Sequence, residues 1–267
     1  MRIGIIGGSG VRELPFDSET ESLIVETRWG QAAGVLATLG GREVFFLARH
    51  GAGHSVPPHR IHYRANMAGL KKLGCDAALA TTAVGSLRAD LLPGTICVLD
   101  QLIDYTLSRT GKTFFDGDDM PVVHTDVTEP FAPLARKAIL DAAKSLGLYV
   151  RDGGTYLCFD GPRYETAAEV RLFASWGADV VGMTAIPEAT LAREAGLHYA
   201  GISLVTNLGA GISKTPLDHS EVETAMAEAR PRLVALLAEA VKSFPESLPE
   251  IGPGVSVLDG FRTSEGA

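Results

Sequence analysis

Residues 199–211 read Y-A-G-I-S-L-V-T-N-L-G-A-G, an apolar run from Tyr199 to Thr206 that closes on an amide and glycines. The run does not alternate apolar with polar residues, so it predicts a strand covered on both faces, as happens where helices flank a parallel sheet. The same design recurs upstream. Arg2 to Ile6 runs into Gly7-Gly8-Ser9-Gly10, Glu43 to Ala48 into Arg49-His50-Gly51, Ala77 to Thr81 into Thr82-Ala83-Val84-Gly85-Ser86-Leu87, and Asp179 to Gly182 into Met183-Thr184. Thr95 to Leu99 adds a further short strand. Helical patterns separate these runs, so the expected class is α/β, with a mixed, largely parallel central sheet flanked by helices.

The helices carry their own punctuation. Leu134 to Leu146 places apolar residues at 134, 138, 139, 142 and 146, a stripe of helical period, and Gly147 follows where a helix stops. Thr166-Ala167-Ala168-Glu169 and Ser220-Glu221-Val222-Glu223 both fit the capping box, in which a hydroxyl and a Glu satisfy each other's exposed N–H groups. Pro187 opens a helix that Gly196 ends, and a last helix runs to about Lys242 with a bend expected near Pro231. No linker, repeat or low-complexity tract divides the chain, so one domain is expected over residues 1–243. Residues 244–267 turn to Pro, Ser, Gly and charge and read as a tail, poorly ordered or packed on the body.

Composition narrows the function. The chain has 267 residues, 46% hydrophobic and 21% charged, with a formal net charge of -8. That is too apolar for disorder and has the wrong sign for a main affinity toward nucleic acid or an anionic membrane. MRIGIIGGSG lacks the apolar core and cleavage site of an export signal. No stretch reaches the roughly 20 apolar residues of a membrane helix. Cys75, Cys97 and Cys158 are odd in number, lie in apolar segments and have no CxxC spacing. They read as buried thiols of a protein kept in the reducing cytoplasm.

Polar groups gather where the strands end. Gly7-Gly8-Ser9-Gly10 frees backbone N–H groups and a hydroxyl for an anion, although a tight turn explains the glycines equally well. The spacing is not a dinucleotide fingerprint. Arg49 can clamp an oxyanion with two N–H bonds, and His50 stands beside it. His54, His59 and His62 follow at once. They invite a metal, but no accompanying Glu, Cys or Asp stands at ligand spacing, and a phosphate pocket or plain surface histidines fit better. Thr82 and Ala83, Tyr164 and Glu165 in Asp160-Gly161-Pro162-Arg163-Tyr164-Glu165-Thr166, Met183 and Thr184, and Asn207 complete six such strand ends. Glu165 can instead merely support the charge of a helix N-terminus. Converging on one sheet edge, these groups describe a pocket for a small ligand that combines an anion with a planar heterocycle. No nucleophile with an adjacent base is evident.

The strings GGSG, ARHG with H-x-x-P-P-H-x-I-x-Y-R-A-N, TTAVGSL, DQLIDYT, EPF, GPRYET, GMTAIPEATLAREAGLHYA and VTNLGAGIS follow in one order from about residue 2 to 242. Together they resemble the trimeric purine nucleoside phosphorylase and methylthioadenosine phosphorylase family. The resemblance implies reversible exchange of a purine for phosphate at the anomeric carbon, in a homotrimer, with phosphate as co-substrate and neither metal nor organic cofactor. It implies that Ser9, Arg49, His50, Thr82, Ala83 and Thr184 hold phosphate, that Met183 packs on the ribose and that Tyr164 lies beside the purine. It also implies catalytic roles for Asn207, Glu165 and His50.

Members that act on 6-aminopurines resemble one another in a Ser after the aromatic of GPRF and in T-D-x-D. Here Glu165, Asn207 and Gly209 stand instead, which resembles the members that use inosine and guanosine. A carboxylate accepts from the N1–H that only a 6-oxopurine carries, and an amide donates to O6 or N7. His219 matches a histidine that contacts the 5′-hydroxyl. His124 matches one that the methylthio branch lends to a neighbouring subunit, so methylthioinosine and methylthioadenosine remain alternative substrates. A non-catalytic nucleotide sensor and a metal-dependent hydrolase are the competing readings from other classes.

Overall fold

A computed structural model describes residues 1–8, 11, 14–51, 53, 55–117, 120, 122–213 and 219–253, with side chains in that last segment from 222 onward. The elements run β1 (Arg2–Gly7), β2 (Glu21–Thr27), β3 (Gly30–Leu39), β4 (Arg42–Ala48), α1 (Tyr63–Lys72), β5 (Cys75–Ser86), β6 (Ile96–Val98), β7 (Gln101–Tyr105) and α2 (Pro133–Ser145). They continue with β8 (Arg151–Asp152), β9 (Thr155–Phe159), α3 (Ala167–Ser175), β10 (Val180–Gly182), α4 (Ala185–Glu194), β11 (His198–Leu208) and α5 (His219–Ser243).

One mixed sheet carries all the strands, in the order β2-β3-β4-β1-β5-β10-β9-β7, with β11, β6 and β8 branching from β5. The β1, β4, β5 and β11 pairings are parallel, as are β7, β9 and β10 among themselves and β6 with β8. The hairpin β2-β3, its continuation to β4, and the β10-β5 and β11-β6 contacts are antiparallel. The mixed, largely parallel α/β sheet expected from the sequence is therefore the observed one.

Alternation along the strands assigns the two faces. Ile6, Phe45, Leu47, Ala78, Ala80, Tyr199 and Val205 pack with Met67 and Leu70 of α1 and Ala189, Leu191 and Ala192 of α4. Ile3, Ile5, Val44, Phe46, Leu79, Ile202 and Leu204 pack on the other side with Ile139 of α2 and Leu233, Leu236 and Leu237 of α5. Each large side chain shielded this way contributes roughly 1.5–3 kcal/mol relative to exposure. A smaller cluster of Leu157, Phe159, Val170, Phe173 and Val181 seats α3.

The helix boundaries follow the sequence signals. α2 ends two residues before Gly147, and α4 ends two before Gly196. Within α4, Ile186 is extended (φ -114, ψ 133), so the regular helix opens at Pro187. The Thr166–Glu169 capping box is formed in both directions. The second expected box, at Ser220, involves side chains outside the described residues, and the helix there already begins at His219. Pro231 lies inside α5. Beyond α5, Phe244 is buried, Leu248 and Ile251 pack on the α2/α5 face, and Arg42 donates to the Phe244 carbonyl at 2.6 Å. Residues 244–253 thus lie on the body, and 254–267 fall outside the described residues.

The sequence places the end of the β5 strand near Thr81, yet the strand continues to Ser86. What stops near there is one of its partners. β11 runs beside β5 from Ala77 to Ser86, whereas on the other edge β1 pairs only to Ala80 and β10 takes over at Gly85. Between them Thr81 to Val84 face a notch where β1 and β10 diverge. A break of this kind in an α/β sheet is where ligands bind.

Candidate active site

The notch opens into a cavity of about 510 Å³, within the range usual for a small-molecule site. Arg49 and His50 enter it from the end of β4, Thr82 and Ala83 from β5, Met183 and Thr184 from the end of β10, Tyr164 and Glu165 from the loop before α3, and Asn207 from β11. Nine of the residues singled out from sequence therefore line one cavity. Ser9 lies outside the described residues, as does the His219 side chain. His124 is exposed on the 122–129 segment and does not line this cavity. His59 and His62 are exposed and likewise do not line it.

All three guanidinium nitrogens of Arg49 are engaged. Its Nε and Nη2 donate to the two Glu188 carboxylate oxygens at 2.7 and 2.6 Å, and Nη1 donates to the Thr81 carbonyl at 2.7 Å. Both side chains are shielded from solvent, and the Tyr199 hydroxyl donates to Glu188 at 2.7 Å. Burial alone would lower the pKa of this guanidinium, but the charge and hydrogen bonds of Glu188 more than offset it and raise the pKa. Of the five N–H groups of an arginine, at least three are thus committed, so the two-bond clamp expected from sequence is already closed on a carboxylate. Arg49 is thus a fixed, charge-compensated arginine in the cavity wall, its side chain shielded from solvent.

The surrounding donors are equally fixed. Gly8 N–H donates to the Thr81 hydroxyl at 3.0 Å, and a Cβ at Gly8 would stand 2.2 Å from the Thr81 carbonyl oxygen, so only glycine allows this approach. The Thr82 and Ser203 hydroxyls lie 2.7 Å apart. The Thr184 N–H donates to the Tyr156 hydroxyl at 3.2 Å. His50 Nδ1 lies 2.8 Å from the Val56 carbonyl, which can only accept, so Nδ1 carries the proton of that bond. Val56, Pro57, Pro58 and Val222 form an apolar stretch of the wall.

On the aromatic side, Arg163 donates to both oxygens of Glu169 at 2.6 and 2.8 Å and lies 4.7 Å from the Phe159 ring centroid. Hydrogen bonding from Arg163 is the largest influence holding the Glu169 carboxyl down at about 2. This brace and the capping box fix the loop that delivers Tyr164 and Glu165. Glu165 is half-buried, and burial raises its pKa. Asn207 Oδ1 accepts from the Thr206 hydroxyl at 2.9 Å and Nδ2 donates to the Leu208 carbonyl at 3.1 Å, which leaves one amide N–H for a ligand.

Sequence reasoning missed Glu188 as the partner of Arg49 and Tyr199 as the partner of Glu188. For Glu188 a signal existed: it shares a helical stripe with Leu191, Ala192 and Ala195, and a carboxylate on an apolar stripe requires a buried partner. The three thiols are buried, and burial pushes them up to about 12 for Cys75 and about 11 for Cys97 and Cys158, which disfavours the nucleophilic thiolate at each. Among the described residues no group of three His, Cys, Asp or Glu side chains could hold a metal ion, and no helix is long and apolar enough to cross a membrane.

A family model described as the phosphorylase superfamily matches residues 2–242. The chain is 48% identical over 246 residues to a probable 6-oxopurine nucleoside phosphorylase of Dictyoglomus turgidum, covering 92% of this chain and 93% of that one. It is 47% identical over 250 residues to the 6-oxopurine nucleoside phosphorylase of Pyrococcus furiosus, covering 92% and 94%. Among solved structures, methylthioadenosine phosphorylase from Schistosoma mansoni in complex with adenine superposes with a TM-score of 0.83 at 33% identity, covering 90% of each chain.

Proposed function

The chain belongs to the phosphorylase superfamily, and we propose that it is a pentosyltransferase that cleaves 6-oxopurine nucleosides with phosphate. In this reaction the C1′–N9 bond breaks, a phosphate oxygen bonds to C1′, and the purine leaves with the electron pair and takes up a proton. The products are free base and ribose 1-phosphate. The observation that carries the reading is the meeting of two chemistries in one cavity. Arg49, His50, Thr82, Ala83 and Thr184 suit phosphate, while a half-buried carboxylate, Glu165, and a fixed amide, Asn207, suit the edge of a 6-oxopurine.

Because ribosyl transfer passes through a cation-like state, the gain comes from an anion held beneath C1′ and from stabilising the electrons on the departing base. The Asn207 N–H serves the second task at N7 or O6. Glu165 as carboxylate accepts from N1–H, and an adenine, which presents an acceptor at N1, is repelled. Met183 packs on the ribose and Tyr164 on the base. No metal or organic cofactor takes part, so activity should survive chelation, and loss of activity under chelation would favour a metal-dependent hydrolase instead.

The same reading makes the protein a cytoplasmic homotrimer in purine salvage. Support for the trimer comes from the match of His124 to a residue that serves a neighbouring subunit, and sedimentation would test it. His219 would meet the 5′-hydroxyl. A second reading, a methylthio-nucleoside phosphorylase acting on methylthioinosine or methylthioadenosine, is favoured by one observation: Val56, Pro57, Pro58 and Val222 offer an apolar wall that suits a thioether better than a hydroxyl.

Inosine, guanosine, adenosine, methylthioadenosine and methylthioinosine, each with and without phosphate, separate these readings. Phosphate-dependent cleavage of inosine and guanosine with little of adenosine is expected. Cleavage without phosphate, or preference for the 6-amino substrates, would defeat the assignment, and tight nucleoside binding without cleavage would indicate a sensor.

A further inference from the structure

Arg109 lies in the loop after β7, does not line the cavity, and has a side chain only 2% exposed. Its guanidinium reaches beneath the site into a ring of backbone carbonyls. Nη2 donates to the carbonyls of Asp160, at 3.2 Å, and Met183, and Nη1 donates to the Ile186 carbonyl and, at 3.2 Å, to the Tyr63 hydroxyl. Its Cζ lies 5.5 Å from the Tyr63 ring centroid, and Nε forms an ion pair with Asp160 at 3.5 Å.

The grip is reciprocal. Asp160 Oδ2 accepts from the N–H groups of Leu107 and Ser108 at 2.9 and 3.0 Å, so the loop that delivers Arg109 is itself tied to the residue whose carbonyl Arg109 holds. Burial works to raise the Asp160 pKa, but the Ser108 and Leu107 bonds and the Arg109 charge prevail and keep it low.

The segments joined in this way are the ones that carry the nucleoside side of the cavity. Asp160 begins the loop to Tyr164 and Glu165. Met183 closes β10, and Ile186 lies two residues past Thr184. The Asp160 and Met183 carbonyls lie just past the ends of β9 and β10, beyond the ladder bonds, and the Ile186 carbonyl belongs to the extended residue that interrupts the start of α4. A planar cation with five donors can satisfy several carbonyls from different segments at once, which an ammonium cannot.

We propose that Arg109 is a positioning residue that sets the spacing between the Tyr164/Glu165 loop and Met183, and so the fit of the nucleoside. The proposal rests on the nucleoside reading of this site. Most of the phosphate side hangs from other elements, Arg49 from the end of β4 and Thr82 and Ala83 from β5, and only Thr184 stands between two of the carbonyls that Arg109 holds, so phosphate should feel the loss less than the nucleoside does.

Arg109→Lys and Arg109→Met would be assayed by initial rates with inosine and phosphate varied in turn, well below the melting temperature of each variant. Arg136→Met serves as control, since Arg136 also donates to a carbonyl, that of Leu99 at 2.8 Å, but away from the cavity. The expected result is a rise of about tenfold or more in KM for inosine with a fall in kcat, against a change of less than about threefold in KM for phosphate. Lys should recover part of the loss seen in Met, and should carry the comparison if Met fails to fold. Unchanged constants in Arg109→Lys, or a parallel rise in both KM values as from general loosening, would overturn the proposal. If the unaltered protein cleaves none of the nucleosides with phosphate, the reading of the site falls, and the proposal with it.

Discussion

Arg49 and Glu188 form a two-bond ion pair, 2.7 and 2.6 Å, with neither side chain exposed to solvent. The pair ties the end of β4 to α4 and presents the cavity with an arginine whose charge is already compensated. Removing one partner of a buried pair strands the other, at a cost of about 3–5 kcal/mol. Glu188→Ala should therefore lower stability by that order in urea denaturation. The stranded Arg49 should then take phosphate as its counter-ion, so added phosphate should raise the melting temperature of the variant more than that of the unaltered protein. An equal phosphate response would show that Arg49 does not face the anion.

Asn207 is the next test. Its amide is oriented on both sides, by Thr206 and Leu208, and this orientation aims the remaining N–H as a preorganised donor. Deleting such a donor typically slows the chemical step about 10²–10³-fold. Asn207→Ala should show that loss in kcat for inosine while phosphate binding is largely kept. Turnover near that of the unaltered protein would remove the amide from the mechanism.

Much of this was legible in the sequence because the informative strands are buried on both faces. β1, β4, β5, β6, β10 and β11 read as largely apolar runs, and residues at or just beyond the ends of β4, β5, β10 and β11 are found around the cavity. The hairpin β2-β3 leaves no such sign. Its outer strand is mostly exposed and β3 is rich in Gly and Ala, so neither apolar periodicity nor β-propensity marks them. β7 is nowhere fully buried and is interrupted by Asp104, whereas β9 does carry an apolar run, Tyr156 to Phe159. Arg109 left no local trace, because a loop arginine that bonds to carbonyls is recognised only once the strands that own them are assembled. The Arg49–Glu188 pair joins residues 139 apart, and the stripe position of Glu188 was its only local sign.

The raised pKa of Glu165 gives a pH test whose sign is fixed. The proposed role needs the carboxylate, and burial shifts its protonation to higher pH than an ordinary glutamate. As pH falls, kcat/KM for inosine should therefore decline with an acid limb beginning above the usual glutamate range, since this parameter reports the free enzyme. Phosphate ionisation contributes equally to unaltered protein and variant. Glu165→Gln should lose that limb, with kcat/KM for inosine reduced across the whole range. A profile for Glu165→Gln that overlays the unaltered protein after scaling would assign the acid limb to another group.

Gly161 tests the spacing of the nucleoside wall from the opposite direction to Arg109. It adopts φ +65, a conformation that costs other residues roughly 1–2 kcal/mol, and a Cβ there would lie 2.4 Å from Met183 Sδ. Met183 is a flexible side chain and can yield, but only by moving into the space assigned to the ribose. Gly161→Ala should therefore reduce stability by about 1–2 kcal/mol and, more tellingly, raise KM for inosine while leaving KM for phosphate near its original value. Gly161→Ala combined with Met183→Ala removes the clash but keeps the backbone strain. If KM for inosine is then no worse than in Met183→Ala alone while the stability loss persists, the two effects separate as the geometry requires, and a KM that stays further elevated would place the defect in the loop backbone.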